Sequence, residues 1–125
     1  MLTLTIIPIL FVAMGGAIGS LLRYAVVQVV MQLHPQPFPI GTVLVNVVGS
    51  FAIGLLMARY MSQDSESAKL FFVTGLLGGF TTFSAFSWDA LQLVQRGQMG
   101  AAMLYVGASL FLSLAAVAGG YQLGR

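Results

Sequence analysis

The sequence is organised around Gly75-Leu-Leu-Gly-Gly-Phe-Thr-Thr-Phe-Ser-Ala-Phe-Ser87, a largely apolar stretch that is nevertheless built to interrupt a helix. Glycine is a poor helix former, and Thr and Ser side chains compete for backbone hydrogen bonds, so residues 78–82 predict a break. Backbone that leaves a helix at membrane depth must find partners for its N–H and C=O groups. Such a break survives only inside protein or along a water-filled cavity.

The composition around that stretch is that of an integral membrane protein. Of the 125 residues, 58% are hydrophobic and 6% are charged, whereas a typical soluble domain has roughly 25% charged residues. A helix needs about 20 apolar residues to cross the hydrocarbon, so four spans with short loops would use nearly the whole chain. We therefore predict a single all-α membrane domain over residues 1–125 that is embedded in the lipid bilayer.

Apolar segments separated by polar loops predict four transmembrane helices, at about residues 4–31, 40–60, 68–95 and 99–123, with the third broken at 78–82. An even number of spans places both termini on one side. That side carries Arg59, Lys69 and Arg125, and the other carries Arg96, with Arg23 near its end. Because an excess of Lys and Arg orients a membrane protein, so small a bias predicts that both orientations are accessible. Two oppositely inserted copies could then form an antiparallel homodimer.

Few side chains are available for chemistry. The chain has three acidic residues, one His and no Cys, so ligands for zinc, iron–sulfur and disulfide sites are lacking and thiol catalysis is excluded. The five basic residues are too dispersed for a nucleic-acid surface. The sequence therefore predicts neither an enzyme nor a nucleic-acid-binding protein.

Two rows of polar side chains repeat at intervals of four residues and so lie along one face of their helices. The rows are Thr42, Asn46 and Ser50 in the second span and Tyr105, Ser109 and Ser113 in the fourth. Thr and Ser can bond back to their own helix, but Asn46 cannot do so as easily. Asn46 either makes an interhelical hydrogen bond or offers an amide N–H to a polar path. Together the rows favour a polar track through the helices.

A broken membrane helix exposes carbonyl groups at the end of its first half and N–H groups at the start of its second. These ends carry opposite partial charges, so one favours a cation and the other an anion. Residues 78–81 would supply carbonyl oxygens, and residues 82–84 hydroxyl and amide groups. Phe83 and Phe86 share one face of the second half. They either face lipid or core, or present the positive edges of their rings to an anion.

Two charged residues lie within the predicted spans. Arg23 is about two turns from the end of the first span, and placing Arg near a membrane centre costs roughly 2.5–3.5 kcal/mol. It either anchors the helix at the interface or supplies a cation at the mouth of an anion path. Asp89 is the acid of the third span; we expect it to be partly hydrated and assign it no proton-transfer role. Gly15 and Gly19, at four-residue spacing, are typical of closely packed helices.

The motifs together resemble the Fluc (CrcB) family of fluoride channels. Residues 75–87 are similar to the family's signature, residues 41–49 to its second-helix motif and residues 15–24 to its first-helix motif, in the same order over essentially the whole chain. The resemblance implies a dual-topology homodimer in the cell membrane, in bacteria the inner membrane. It also implies two antiparallel pores that export fluoride passively down its electrochemical gradient and so lower cytoplasmic fluoride.

The resemblance further implies roles for individual residues. The pore and anion-binding residues would be Asn46, Phe83, Phe86, Ser84, Tyr105, Ser109 and Ser113, with Arg23 near the aqueous vestibule. The polar row of the second span, rather than the resemblance, adds Thr42 to these predicted pore residues. The backbone carbonyls of Gly78 and Thr81, within one residue of register, would hold a structural sodium ion on the dimer axis. At Trp88-Asp89 the family has a small residue followed by Glu. The carboxylate is therefore one methylene shorter here, and Asp89 is left unassigned.

Two other classes of protein fit the size and the number of spans. A small multidrug or cation antiporter of dual topology would need a buried acid in its first helix, and residues 4–31 contain none. A non-transporting membrane assembly subunit would account for the glycine spacing by helix packing alone. It would not account for polar rows that converge on a broken helix.

Overall fold

The computed structural model describes residues 5–60 and 65–125, and within those ranges it contains no strand and four helical segments that are long and apolar enough to cross a membrane. These spans are Ile6–Leu33, Ile40–Tyr60, Glu66–Gln95 and Met99–Gly124. The predicted all-α membrane architecture is confirmed, with span ends that differ by at most two residues. Residue 4, the predicted start of the first span, lies outside the described residues.

The third span is broken later than the sequence predicts. The helix continues through Gly78–Phe80, and the chain becomes extended only at Thr81 (φ −85°, ψ 158°) and Thr82 (φ −152°, ψ 121°). The α-helix resumes over Phe83–Gln95. The prediction of a break across 78–82 is therefore wrong for residues 78–80. Gly79 stays helical because the absence of a side chain lets the first span approach, which offsets its poor helix propensity.

The first half of the third span is mostly a π-helix. It is α-helical over Glu66–Lys69, π-helical over Leu70–Leu77 and α-helical again over Gly78–Phe80. A π-helix bonds residue i to residue i+5, is rare, and often lies next to functional sites. The sequence carries no signal for it, because an almost uniformly apolar run fits either helical period.

Glycines set the distance between the first span and the first half of the third. A Cβ atom added to Gly19 would lie 2.9 Å from the Phe80 nitrogen, and one added to Gly79 would lie 2.6 Å from the Gly16 oxygen. Both distances are far inside van der Waals contact. The predicted close packing at Gly15 and Gly19 is confirmed, since both are buried against this half of the third span.

A second glycine contact joins the second and fourth spans. An added Cβ on Gly54 would lie 2.9 Å from the Tyr121 nitrogen, and one on Gly120 would lie 3.0 Å from the Leu55 nitrogen. The chain thus forms two tight helix pairs. The second half of the third span packs against the pair formed by the second and fourth spans, through a buried cluster of Leu93, Ala102 and Tyr105.

Candidate functional site

Asn46 of the second span closes the break in the third. Its Nδ2 donates to the Thr82 carbonyl at 3.0 Å, and the Thr82 N–H donates to its Oδ1 at 2.8 Å. One side-chain amide therefore satisfies both backbone groups of the residue at which the helix is interrupted. An amide nitrogen has two N–H donors, so one remains for another acceptor.

Thr81 and Thr82 make further hydrogen bonds on either side of the break. The Thr81 N–H and hydroxyl donate to the Leu77 carbonyl at 3.0 and 2.9 Å. The Thr82 hydroxyl caps the second half by accepting from the Ala85 N–H at 3.1 Å, and it lies 3.2 Å from the Ser84 hydroxyl. Protein groups thus pair much of the interrupted backbone, as backbone at membrane depth requires.

Arg23 lies at the carbonyl end of the first half. Its Nε donates to the Gly79 carbonyl at 3.0 Å, which places a cation where the helix dipole is negative. From the sequence, Arg23 was expected either to anchor the first helix at the membrane interface or to supply a cation at the mouth of an anion path. The contact shows a cation holding the end of a helix within the protein, and the vestibule role stays a prediction.

The carbonyl groups of the break divide into two sets. Those of Gly79 and Thr82 accept hydrogen bonds from Arg23 and Asn46. Those of Gly78 and Thr81 accept none within residues 5–60 and 65–125. This difference bears on the one-residue uncertainty in the predicted sodium ligands, because an engaged carbonyl is less available to a cation. The carbonyl groups of Gly78 and Thr81 are thus the ones left to accept a cation, and the sodium site stays a prediction.

A groove of about 450 Å³ runs beside the break between the second, third and fourth spans. Its polar and aromatic lining consists of Asn46, Ser50, Thr81, Thr82, Phe83, Phe86, Ser109 and Ser113. The rings of Phe83 and Phe86 are 5.5 Å apart and inclined at 45°. Phe83 is 79% exposed, so its ring stands at the open side of the groove.

Ser109 is an unusual member of the groove lining. Its side chain is only 6% exposed, yet its hydroxyl has no hydrogen-bond partner in the described part of the chain. It does not bond back to its own helix, as serines in membrane helices can. An unpaired buried hydroxyl costs about 1–3 kcal/mol. Ser109 is therefore a residue of the groove lining whose hydroxyl donor is not used within the described part of the chain.

The structure divides the predicted anion-binding residues into two groups. Asn46, Phe83, Phe86, Ser109 and Ser113 lie together in the groove. Four others do not line it: Thr42, Ser84, Tyr105 and Arg23. Both polar rows thus split in the same way, with the last two residues of each row in the groove and the first beyond its end. Ser50 and Thr82 line the groove but were not among the predicted site residues.

Beyond the end of the groove, Asp89 joins three spans. Its Oδ2 accepts from the Thr42 hydroxyl at 2.8 Å and from the Tyr105 hydroxyl at 3.0 Å. Thr42 and Tyr105 are buried, with exposures of 6% and 0%. From the sequence we expected Asp89 to be partly hydrated and assigned it no role, although it is an acid in an apolar span. An acid at that depth needs hydrogen-bond partners. The first residues of the two polar rows, Thr42 and Tyr105, were the feature of the sequence that could have predicted them.

The chain resembles known proteins over almost its whole length. Residues 10–121 match the family described as "CrcB-like protein, Camphor Resistance (CrcB)". A protein of Agrobacterium fabrum named "Fluoride-specific ion channel FluC" is 53% identical over 122 residues, which cover 95% of this chain and 97% of the relative.

Two further relatives with the same name come from other bacteria. The Rhizobium etli protein is 51% identical over 91% of this chain and 93% of its own length. The Paracoccus denitrificans protein is 47% identical over 91% of each. Since both the family match and these identities extend across all four spans, the chain belongs to the CrcB-like family.

Proposed function

We propose that this protein is a fluoride-specific ion channel of the cell membrane, which lets fluoride leave the cytoplasm down its electrochemical gradient. Relatives with about 50% identity over most of the chain carry that name. The observation that carries the proposal is the unpaired, buried Ser109 hydroxyl in a groove walled by Phe83 and Phe86. A hydroxyl donor and aromatic edges, with no cationic side chain among the lining residues, suit a small anion that must pass through rather than stay.

The groove offers donors in sequence along its length. Asn46 has a second amide N–H, and Ser109 and Ser113 are one helical turn apart on the fourth span. Fluoride accepts hydrogen bonds strongly, so such donors can replace part of its hydration shell. The start of the second half adds the partial positive charge of a helix N-terminus. This arrangement lowers the cost of an anion at membrane depth without a fixed countercharge, and the activity is conduction rather than chemical catalysis.

We further propose that the channel is an antiparallel homodimer held by a sodium ion. The groove is open on the side of Phe83, so a second copy would complete its wall. Four spans and a nearly balanced distribution of basic residues allow opposite insertion. The free carbonyls of Gly78 and Thr81 would hold the ion, because oxygen ligands suit a hard cation. The sodium ion would supply a positive charge between the carbonyl ends of the interrupted third spans of the two copies.

Reconstituted protein tests the conduction proposal. Vesicles loaded with potassium fluoride and treated with a potassium ionophore should release fluoride to an external electrode, while vesicles loaded with potassium chloride should release little chloride. Phe83→Leu and Phe86→Leu should each slow fluoride release by about tenfold or more, which corresponds to about 1.4 kcal/mol. Leucine retains most of the apolar volume but removes the ring edge.

Two results would contradict this view. If chloride left wild-type vesicles as fast as fluoride, the protein would not be fluoride-specific. If both leucine variants kept the wild-type fluoride rate, the rings would be packing residues only. Elution of the variants at the wild-type volume in size-exclusion chromatography provides the control for folding.

A further inference from the structure

Asp89, Thr42 and Tyr105 form a hydrogen-bonded cluster, called here the Asp89 cluster, that does not line the groove. Conduction along the groove does not by itself require this cluster. Both hydroxyl donors, Thr42 and Tyr105, converge on the same carboxylate oxygen, at 2.8 and 3.0 Å. An ionised carboxylate is an acceptor only, and hydroxyl groups are matched donors for it. The contact therefore fixes the Tyr105 hydroxyl, and with it the plane of the ring, more firmly than packing alone would.

The Tyr105 ring connects the Asp89 contact to the aromatic residues of the groove. Its ring centroid is 5.3 Å from that of Phe86, at an inclination of 36°, and 5.7 Å from that of Phe38, at 88°. Phe86 in turn lies 5.5 Å from Phe83. The contacts run from the carboxylate through one buried ring to the two rings of the groove. Asp89 itself is not among the residues that line the groove.

We propose that Asp89 is a positioning residue for the aromatic wall of the groove, defined as Phe83 and Phe86. By holding the Tyr105 hydroxyl, Asp89 keeps the Tyr105 ring against Phe86 and so sets the direction in which the Phe86 edge faces an anion. The Phe38 ring, nearly perpendicular to that of Tyr105, is a further packing contact of Tyr105. This inference rests on the proposed function, since it assigns the contact a consequence for fluoride flux.

Three substitutions separate the parts of this contact. Asp89→Asn keeps the shape and one acceptor oxygen but loses the charge. Tyr105→Phe keeps the ring and loses the donor. Thr42→Val removes the other hydroxyl donor to Asp89. The Thr42 side chain takes no part in the contacts between the rings. Glu66→Gln is the matched control, because Glu66 is an exposed acid at the start of the third span and does not line the groove.

The measurement uses vesicles that contain on average less than one channel. There the fraction of vesicles that empty reports how much protein is folded, whereas the release rate of the emptying vesicles reports flux through each channel. We expect Asp89→Asn and Tyr105→Phe each to slow that rate by about tenfold, Thr42→Val by less, and Glu66→Gln not at all. The double variant Asp89→Asn/Tyr105→Phe should be no slower than Tyr105→Phe, because both substitutions break one contact.

The outcomes distinguish the inference from the proposed function. A normal rate in the emptying vesicles for both single variants, even with fewer active vesicles, would overturn the positioning role and leave stability as the role of the contact. Rate losses that multiply in the double variant would overturn it too, since Asp89 would then act independently of Tyr105. Tyr105→Phe decides the question if Asp89→Asn fails to fold. If wild-type vesicles release no fluoride at all, the proposed function itself fails.

Discussion

Replacing Asn46 with Leu is expected to abolish fluoride efflux and to lower the stability of the folded protein by about 2–6 kcal/mol. The substitution leaves both the N–H and the C=O of Thr82 without the partners that they have at 2.8 and 3.0 Å, respectively. Each buried group left unpaired costs about 1–3 kcal/mol. Thermal or denaturant unfolding in detergent measures the stability, and the fluoride electrode measures the flux.

Asn46→Asp is the matched comparison, because it keeps the shape and the oxygen that accepts from the Thr82 N–H. It should destabilise the protein less than Asn46→Leu but still suppress fluoride flux, since a negative charge in a low-dielectric groove repels an anion. Wild-type stability of the leucine variant would mean that water replaces Asn46 at the break. Unchanged flux through the aspartate variant would place Asn46 off the anion path.

Gly19→Ala is the second substitution with a large expected effect. The new Cβ would overlap the Leu76 carbonyl oxygen and lie 2.9 Å from the Phe80 nitrogen. Both are backbone atoms that cannot rotate away, so the first and third spans must separate. We expect a loss of about 3 kcal/mol in stability, at the upper end for overpacking, together with loss of flux. The displaced first span would also pull Arg23 from the Gly79 carbonyl.

Gly100→Ala is the control for that substitution. Gly100 is also helical, but an added Cβ would have no atom within 4 Å in the described structure. Since alanine is a better helix former than glycine by about 1 kcal/mol or less, this variant should be as stable as the wild type or slightly more so. Equal stability of the two alanine variants would contradict the argument that backbone contact at Gly19 requires glycine.

The spans and their order could be predicted from the sequence because hydrophobicity and length are properties of each segment alone. The location of a break near Thr81 followed from local chemistry, since glycine and hydroxyl residues weaken a helix wherever they occur. The extent of the break did not follow. Gly79 remains helical because of its contact with Gly16, a residue that is remote in sequence.

The candidate site was predictable where a row of side chains shares a helix face. The four-residue spacing predicted a polar track that includes Asn46, Ser109 and Ser113, and these three residues line the groove. The same spacing could not show that Thr42 and Tyr105 turn away from the groove toward Asp89. Which member of a row meets a neighbour depends on how the helices cross.

The sequence by itself determined that this protein lies in a membrane, that it has four spans, and that the third is interrupted beside two phenylalanines. Only the tertiary structure decided how the interruption is stabilised, with Asn46 pairing Thr82 and Arg23 holding Gly79. It also decided that Asp89 bonds to Thr42 and Tyr105. The physical reason is that hydrophobicity and helix propensity act within a segment, whereas backbone groups freed in a membrane must be satisfied by whichever side chains other segments bring to them.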